Sequence, residues 1–444
     1  MNIFLVGAGG VGFHLARLLS MENHDVTVVE HDRNVLEQID YELDVSSVRG
    51  SAVSVIQLKE TGVPNADLFI SATGDDEINL ISAATAKGLG AKQVVARVDA
   101  PDYTESSILL EAILGIDYIL SPNALTALEI AKFIETPGLV ATEEFGRGHV
   151  QMRQIKVTGS PVSNGKTLSD VTLPGDVLVG MISRQGRSFV PHGASTIEAG
   201  DLVTFIGRKE ALKDIHKLFQ GHEPKAEKVV VMGGRSIGLH LTQVIEKRYP
   251  VVKLFDRDLQ RCNALAAQLK SARVVCRDAT TRVALEQEHV AGADAFVATT
   301  RDDERNIMAS VLAKEVGAHR TIAVVHQPDF APLVGRLGID HAVTPRASFA
   351  NRVLKLVHQE RASSSALIGD GQIQLLEFVV KENTPILRRP LREVKLPREA
   401  LVAAVLRNDD VIIPHGNSMV TAGDSVVLLV RSEYLPQAMK FFRP

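Results

Sequence analysis

The stretch Ile3-Phe4-Leu5-Val6-Gly7-Ala8-Gly9-Gly10-Val11-Gly12 is an apolar run that breaks into glycines. Half a chain later, Val229-Val230-Val231-Met232-Gly233-Gly234-Arg235-Ser236-Ile237-Gly238 repeats it. In each copy a second apolar run then closes on an acid: Glu30 after Asp25-Val26-Thr27-Val28-Val29, and Asp256 after Val251-Val252-Lys253-Leu254-Phe255. Strand, glycine turn, helix, strand and acid in that order form the dinucleotide-binding signature. Its recurrence in register reads as a duplicated nucleotide-binding unit.

Working outward, apolar runs at 2–6, 25–30, 45–49, 67–72, 93–98 and 117–120 predict strands, with helices between them such as 10–20, 76–88 and 123–134. Strands that are apolar throughout and alternate with helices predict a parallel sheet covered on both faces. The right-handed crossover rule then makes it doubly wound. The second copy predicts matching strands at 228–232, 251–255, 273–276, 295–298 and 320–325.

Composition changes at Thr136-Pro137-Gly138. Beyond it, alternating runs at 151–157, 177–184, 188–191 and 202–206, followed by a helix at 209–219, predict a small α+β domain. This domain also recurs: Leu173-Pro174, Pro191-His192-Gly193 and Ala199-Gly200-Asp201 match Leu396-Pro397, Pro414-His415-Gly416 and Ala422-Gly423-Asp424. The polar linkers Gln220-Gly221-His222-Glu223-Pro224-Lys225 and Arg361-Ala362-Ser363-Ser364-Ser365 complete the division. The expected fold class is α/β: two Rossmann-like doubly wound domains (1–136 and 226–360), each followed by a small α+β domain (137–222 and 366–444).

The bulk chemistry narrows the function classes. With 45% hydrophobic and 23% charged residues, the composition is that of a globular protein. A net charge of -4 excludes a broad basic surface for nucleic acid. Cys262 and Cys276 have no ligand-like spacing, so they read as apolar fillers in a reducing compartment. No cationic n-region precedes a long apolar core, and no apolar run approaches the ~20 residues that span a bilayer. The expectation is a cytoplasmic protein that meets a membrane only through a partner.

The motif residues have separable tasks. Gly7 permits the tight turn, Gly9 admits a pyrophosphate close to the backbone, and Gly12 lets helix and strand approach. With Ala8, Gly10 and Val11 they place a helix N-terminus at the phosphates. Glu30 would accept hydrogen bonds from ribose hydroxyls and repel a 2′-phosphate, which favours NAD(H) or an adenine nucleotide such as ATP or ADP. The second loop is Gly233, Gly234, Arg235, Ser236, Ile237 and Gly238, with Asp256 as its acid. Arg235 stands where the middle glycine belongs: it either crowds a pyrophosphate or pairs with it through its guanidinium. Arg257 beside Asp256 blurs the discrimination against a 2′-phosphate.

Further candidates follow the later strands. Gly50-Ser51-Ala52 and Asp278-Ala279-Thr280 would line the base pockets; Thr73 and Gly74, with Thr299 and Thr300, follow the fourth strands. Asp75, Asp76 and Asn79, with Asp302, Asp303 and Asn306, lie at the ligand-binding edge, yet the acids equally suit helix caps. Arg97 closes the fifth strand where the second copy has Val324; it either reaches toward phosphate or pairs with Asp99 or Asp102. His192 and His415 occupy matching turns, as ligands or as solvated side chains.

The motifs as a set resemble the tandem regulators of potassium conductance, in particular the cytosolic regulatory subunits of Trk-type potassium uptake systems. The carriers are the first glycine loop, Val28-Val29-Glu30, Ala72-Thr73-Gly74-Asp75-Asp76-Glu77-Ile78-Asn79, Ala96-Arg97-Val98-Asp99-Ala100-Pro101-Asp102-Tyr103 and Asp302-Asp303-Glu304-Arg305-Asn306-Ile307-Met308. In the small domain the carrier is Ile197-Glu198-Ala199-Gly200-Asp201-Leu202-Val203. The resemblance implies a non-enzymatic sensor with Gly7, Gly9, Gly12 and Glu30 as one nucleotide site and Gly233, Gly238 and Asp256 as the other. It also implies rings or dimers beneath a potassium-translocating membrane subunit, with the helix at 123–134 as the self-association contact. The competing class is an NAD-dependent oxidoreductase, which needs a proton-transfer group facing the nicotinamide. The small duplicated domains show no such constellation.

Overall fold

The computed structural model describes residues 1–444 except 23, 136–138, 158–165, 185–186, 214, 220–225, 361–364, 369–372, 388, 409 and 443–444. The linker 220–225 and most of the linker 361–365 therefore lie outside the described residues. The chain forms two compact units: Met1–Glu135 with Lys225–Leu354, and Thr136–Pro224 with Lys355–Pro444.

The first unit holds both sheet domains. β1 (Asn2–Val6), β2 (Asp25–Glu30), β3 (Ser46–Arg49), β4 (Leu68–Ser71), β5 (Gln93–Arg97) and β6 (Tyr118–Leu120) form one sheet in the order β3-β2-β1-β4-β5-β6. Every pairing is parallel. β1 and β4 are neighbours whose connections leave in opposite directions, so a crevice opens at their carboxyl ends. Ile3, Leu5, Phe69 and Ile70 are fully buried, which is why these strands read as continuous apolar runs.

The intervening chain adds β7 (Leu139–Phe145), β8 (Val150–Lys156), β9 (Val177–Arg184), β10 (Arg187–Phe189) and β11 (Leu202–Arg208). They form an antiparallel sheet in the order β10-β9-β11-β8-β7. The second sheet domain consists of β12 (Lys228–Met232), β13 (Val251–Asp256), β14 (Arg273–Cys276), β15 (Ala295–Ala298), β16 (Thr321–Val324) and β17 (His341–Val343). Its order β14-β13-β12-β15-β16-β17 reproduces the first sheet. The last strands, β18 (Ser365–Ile368), β19 (Ile373–Val379), β20 (Ala400–Arg407), β21 (Asp410–Ile412) and β22 (Ser425–Arg431), follow the order β18-β19-β22-β20-β21.

β7 and β17 go beyond the sequence reading. β17 has only three residues, and β7 carries Glu143 and Glu144 directly after the composition break. The single helix expected at 209–219 is two short ones, Lys209–Leu212 and His216–Phe219.

The two sheet domains share a core. The helix Pro122–Glu135 lies against Ser236–Ile245 and buries Ala127, Ile130, Ala131 and Ile134 among Ile237, Leu241, Ile245 and Tyr249. Ser348 Oγ donates to Glu129 Oε2 at 2.6 Å, and Arg248 pairs with Glu135. The helix expected to join separate chains therefore uses its apolar face within the chain. Duplication supplies the complementary helix covalently. The two small domains share a core likewise: Phe145, Val150, Met152 and Ile206 pack with Leu375, Ala404, Val427 and Leu429.

Candidate nucleotide sites

The glycine loops are built alike. Gly7 has φ +85, and a Cβ there would come within 2.7 Å of Thr73. A Cβ on Gly12 would lie 2.0 Å from the Gly7 carbonyl oxygen; on Gly238 it would lie 1.8 Å from that of Gly233. Both positions exclude a side chain because helix meets strand. Gly9 differs: its φ of -62 suits any residue, and a Cβ there would meet nothing within 4 Å. Gly10 is equally open. The space faces the first turn of the helix Gly10–Met21, where unpaired N–H groups and the helix dipole favour an anion. Arg235 keeps the same extended backbone (φ -82) and is exposed, so the second loop retains its shape with an arginine at the position before the helix.

Glu30 ends β2 with its carboxylate buried. Oε2 accepts from the Ala8 N–H at 2.7 Å; Oε1 accepts from the N–H groups of His31 (2.7 Å) and Asp32 (3.0 Å). Burial pushes the carboxyl up, but these three N–H donors outweigh it and hold it below its ordinary range. Asp256 is held more fully. Oδ2 accepts from Gly234 N–H (2.9 Å) and Oδ1 from Asp258 N–H (2.9 Å), while Arg261 Nη1 donates to both at 3.0 and 3.1 Å. Burial again raises this carboxyl and the donors more than reverse it.

The loops after the fourth strands are locked by a buried asparagine. Asn79 Oδ1 accepts from Thr73 N–H (2.8 Å), Thr73 Oγ1 (2.7 Å) and Ser71 Oγ (3.0 Å), and Nδ2 donates to the carbonyls of Thr73 and Arg97. Asn306 repeats the lock with Thr300 and Val324. Asp75 and Asp302 cap the following helices. Asp76 accepts from Asp99 and Ala100 N–H groups, and Asp303 from those of His326 and Gln327. These acids are thus caps and ties. Arg97 pairs with Asp99 and reaches the Thr73 carbonyl at 3.4 Å. His192 and His415 sit in turns closed by Ser195 and Ser418.

Several candidates turn their side chains inward. Ile237 belongs to the core between the sheet domains, and Ala279 to the core of the second. Thr299 Oγ1 donates to the carbonyls of Met232 and Gly233, both at 2.9 Å. These residues, like the buried Ala8, offer a ligand backbone only. Ser51, Gly74 and Ser236 are open at loop or helix starts, and Ala52 packs at the edge of the first core. Asp278 accepts from Thr280 N–H (3.0 Å) and Oγ1 (2.7 Å) and from Arg305 Nη2 (2.8 and 2.9 Å). Its burial is opposed by these donors, which bring the carboxyl down to about 2. Cys262 is buried with its thiol pushed up to about 12 by burial, and Cys276 is exposed at the end of β14 rather than a core filler.

The second crevice encloses about 300 Å³ between the ends of β12, β13 and β15. Its wall includes Gly233, Asp256, Asp278, Ala279 and Thr300, together with Arg235, Arg257, Arg261, Arg277, Arg301 and Arg305. The sequence reading singled out only Arg235 and Arg257 of these cations. Of the others, Arg261 and Arg305 lie in the first turns of the helices Leu259–Gln268 and Asp303–Val316, Arg277 and Arg301 after β14 and β15, and they converge only in three dimensions. Among the described residues there is no cluster of side chains suited to a metal ion, and no helix is long and apolar enough to cross a membrane.

Tandem doubly wound domains with a glycine loop at each switch point, each followed by a small β-rich domain, make up the tandem RCK architecture. Residues 3–122 and 229–345 match the TrkA-N domain, and residues 152–220 and 375–443 match the TrkA-C domain. The chain belongs to the TrkA family of Trk system potassium uptake proteins. It is 33% identical over 443 residues to the Trk system potassium uptake protein TrkA homolog of Archaeoglobus fulgidus, covering 100% of both chains. It is 29% identical to the Vibrio alginolyticus TrkA, covering 100% of this chain and 99% of that one. These relatives are components of potassium uptake systems, not enzymes. The fold matches the crystal structure of the GsuK RCK domain with a TM-score of 0.62 at 21% identity, covering 99% of this chain and 94% of that one. A structure of the GsuK channel bound to NAD gives 0.62 at 20% identity, covering 99% of this chain and 78% of that one.

Proposed function

We propose that this chain is the cytoplasmic nucleotide-sensing subunit of a Trk-type potassium uptake system. It binds NAD(H) or an adenine nucleotide, ATP or ADP, at its glycine loops. It self-associates, as a dimer of tandem units or a tetrameric ring, beneath a potassium-translocating membrane subunit whose gate it biases. The observation that carries the reading is the space over Gly9 and Gly10, at a helix start and beside Glu30, in a chain that matches TrkA relatives end to end. A Cβ built at either glycine meets nothing within 4 Å, so the backbone there is open to an approaching anion.

Regulation requires a ligand with unequal affinity for two conformations. Shifting a population from 1:99 to 99:1 takes roughly 5.5 kcal/mol of differential binding. Several crevices in an oligomer reach that sum with modest individual preferences.

The test is potassium-limited growth of a strain lacking this gene, complemented with the native chain or with Gly9→Asp. Asp at this position fits the backbone and places a charge where pyrophosphate would lie. Rescue by the native chain and altered rescue by a folded Gly9→Asp protein is the expected result. Normal growth of the deletion strain, with no redundant uptake system, would discard the assignment.

A further inference from the structure

The two crevices share a backbone and differ in charge. Arg235, Arg257, Arg261, Arg277, Arg301 and Arg305 line the second. At the corresponding positions the first copy has Gly9, His31, Val35, Gly50, Gly74 and Ile78. Three of the six arginines are engaged by acids: Arg261 with Asp256, Arg305 with Asp278 at 2.8 Å, and Arg277 with Glu288 at 3.8 Å. Arg235, Arg257 and Arg301 are exposed and make no ion pair among the described residues. They rise from the loops after β12, β13 and β15 around one opening.

The acids differ as well. A carboxylate has about four lone-pair sites. Glu30 Oε2 accepts one hydrogen bond, from Ala8, and keeps a site for a ribose hydroxyl. Each Asp256 oxygen already accepts two, one of them from Arg261. Asp256 is therefore a poor acceptor for a 2′-hydroxyl. Its negative charge, which would repel a 2′-phosphate, is offset by Arg261 and flanked by the unpaired Arg257.

Resting on the nucleotide reading of these crevices, we propose that the second one prefers a 2′-phosphorylated adenine dinucleotide, whereas the first prefers the unphosphorylated one. Arg257 and Arg261 receive the 2′-phosphate at the end of β13. Arg235, over the helix start, and Arg301, across the opening, face the pyrophosphate. Guanidinium groups suit phosphate oxygens by shape as well as charge. One chain would then read both dinucleotide pools.

The test is equilibrium binding of NADP+, NAD+, ATP and ADP to the full chain carrying Gly9→Asp, which closes the first crevice. The expected result is at least a tenfold preference for NADP+ over NAD+, steeply reduced by salt. Arg257→Ala is expected to abolish that preference while leaving NAD+ binding in place. The exposed, unpaired setting of Arg257 makes it neutral to folding, which ligand-free thermal unfolding checks. Equal NADP+ and NAD+ affinities would overturn the inference and leave the nucleotide reading standing. ATP gaining as much over ADP as NADP+ gains over NAD+ would also overturn it, because charge alone would then be recognised. Binding of none of the four, while the native chain still binds NAD+, would overturn both the inference and the reading of the second crevice.

Discussion

Phe133 and His341 stack face to face, ring centroids 4.3 Å apart and planes within 8°. Phe133 comes from the last helix of the first sheet domain and His341 from β17 of the second, so the pair lies where the domains join. Burial brings the His341 imidazole down from 6.5 to about 4. Above pH 6.5 both folded and unfolded chains keep it neutral. As pH falls toward 4, the unfolded chain takes a proton that the folded chain refuses, so stability falls through that window. At pH 5 the loss is about 2 kcal/mol relative to pH 7. Denaturation midpoints at the two pH values check this against His341→Phe, which should flatten the dependence by that amount. An unchanged slope in the variant would remove His341 from the account.

Gly9 and Gly12 separate open space from packed space. Gly9→Ala meets nothing within 4 Å at a φ that any residue adopts, so stability should stay within about 0.5 kcal/mol of native. Nucleotide affinity should nevertheless fall, because the methyl group occupies the pyrophosphate path. In Gly12→Ala the new Cβ lies 2.0 Å from the Gly7 carbonyl oxygen, and strand and helix must part. A loss of about 1–3 kcal/mol is expected. Calorimetric unfolding and NAD+ titration of both variants would show it; a destabilised Gly9→Ala protein with unchanged affinity would contradict both assignments.

What the sequence made legible was what is local in sequence. The strand, glycine and acid spacing announced both sheet domains because each signal spans a few residues and is enforced by backbone sterics. Arg235 stood out because it replaces the middle glycine of that spacing, and Arg257 because it follows the acid that ends it. Arg261 did not: its role depends on a helix turn bringing it back under Asp256, and an exposed arginine in a helix is unremarkable. Arg277, Arg301 and Arg305 gain meaning only when the segments after β14 and β15 converge. The helix at 123–134 is expected as a contact between chains only because the family resemblance implies one; the structure buries the apolar face of Pro122–Glu135 against the second sheet domain of the same chain, which no local pattern announces. The capping acids Asp75 and Asp302 had two readings from sequence because a helix start and a ligand edge coincide at that place in the fold.

Asn79 is fully buried and ties the exit of β4 to that of β5 through both ends of its amide. Asn79→Ala strands Thr73 N–H, Ser71 Oγ and the Arg97 carbonyl, and leaves the Thr73 carbonyl only the long 3.4 Å contact from Arg97. Each unsatisfied buried group costs about 1–3 kcal/mol, so a total near 3 kcal/mol is expected after partial relaxation. Asn79→Asp keeps the acceptor but turns an acceptor-only oxygen toward the Thr73 and Arg97 carbonyls, so above pH 6 it should cost at least as much as Asn79→Ala, and less at low pH, where a protonated carboxyl can donate to one of them. Urea denaturation orders the three proteins, and native-like stability of Asn79→Ala would show that water replaces the amide.

Asp201 and Asp424 hold the same position in the two small domains, and each is clamped by an arginine of a neighbouring strand. Arg184 donates to both oxygens of Asp201 at 2.8 Å, and Arg407 to those of Asp424 at 2.9 and 2.8 Å. Each acid also accepts from a turn N–H, that of Glu198 or Thr421. Both acids are buried, whereas the arginines remain partly in water, so the two halves of the pair are unequal. Asp201→Ala removes the group that organises the turn as well as the charge, and should cost roughly 2–3 kcal/mol, less than the ~3–5 of a fully buried pair. Arg184→Met leaves Asp201 its turn N–H and should cost less. The double variant should be little worse than Asp201→Ala alone, because once Asp201 is gone Arg184 keeps only its ion pair with Glu198 and its bond to the Thr196 carbonyl, both partly in water. A double-mutant cycle by chemical denaturation measures the coupling directly. Additive losses would mean that the guanidinium and the carboxylate act on the turn independently.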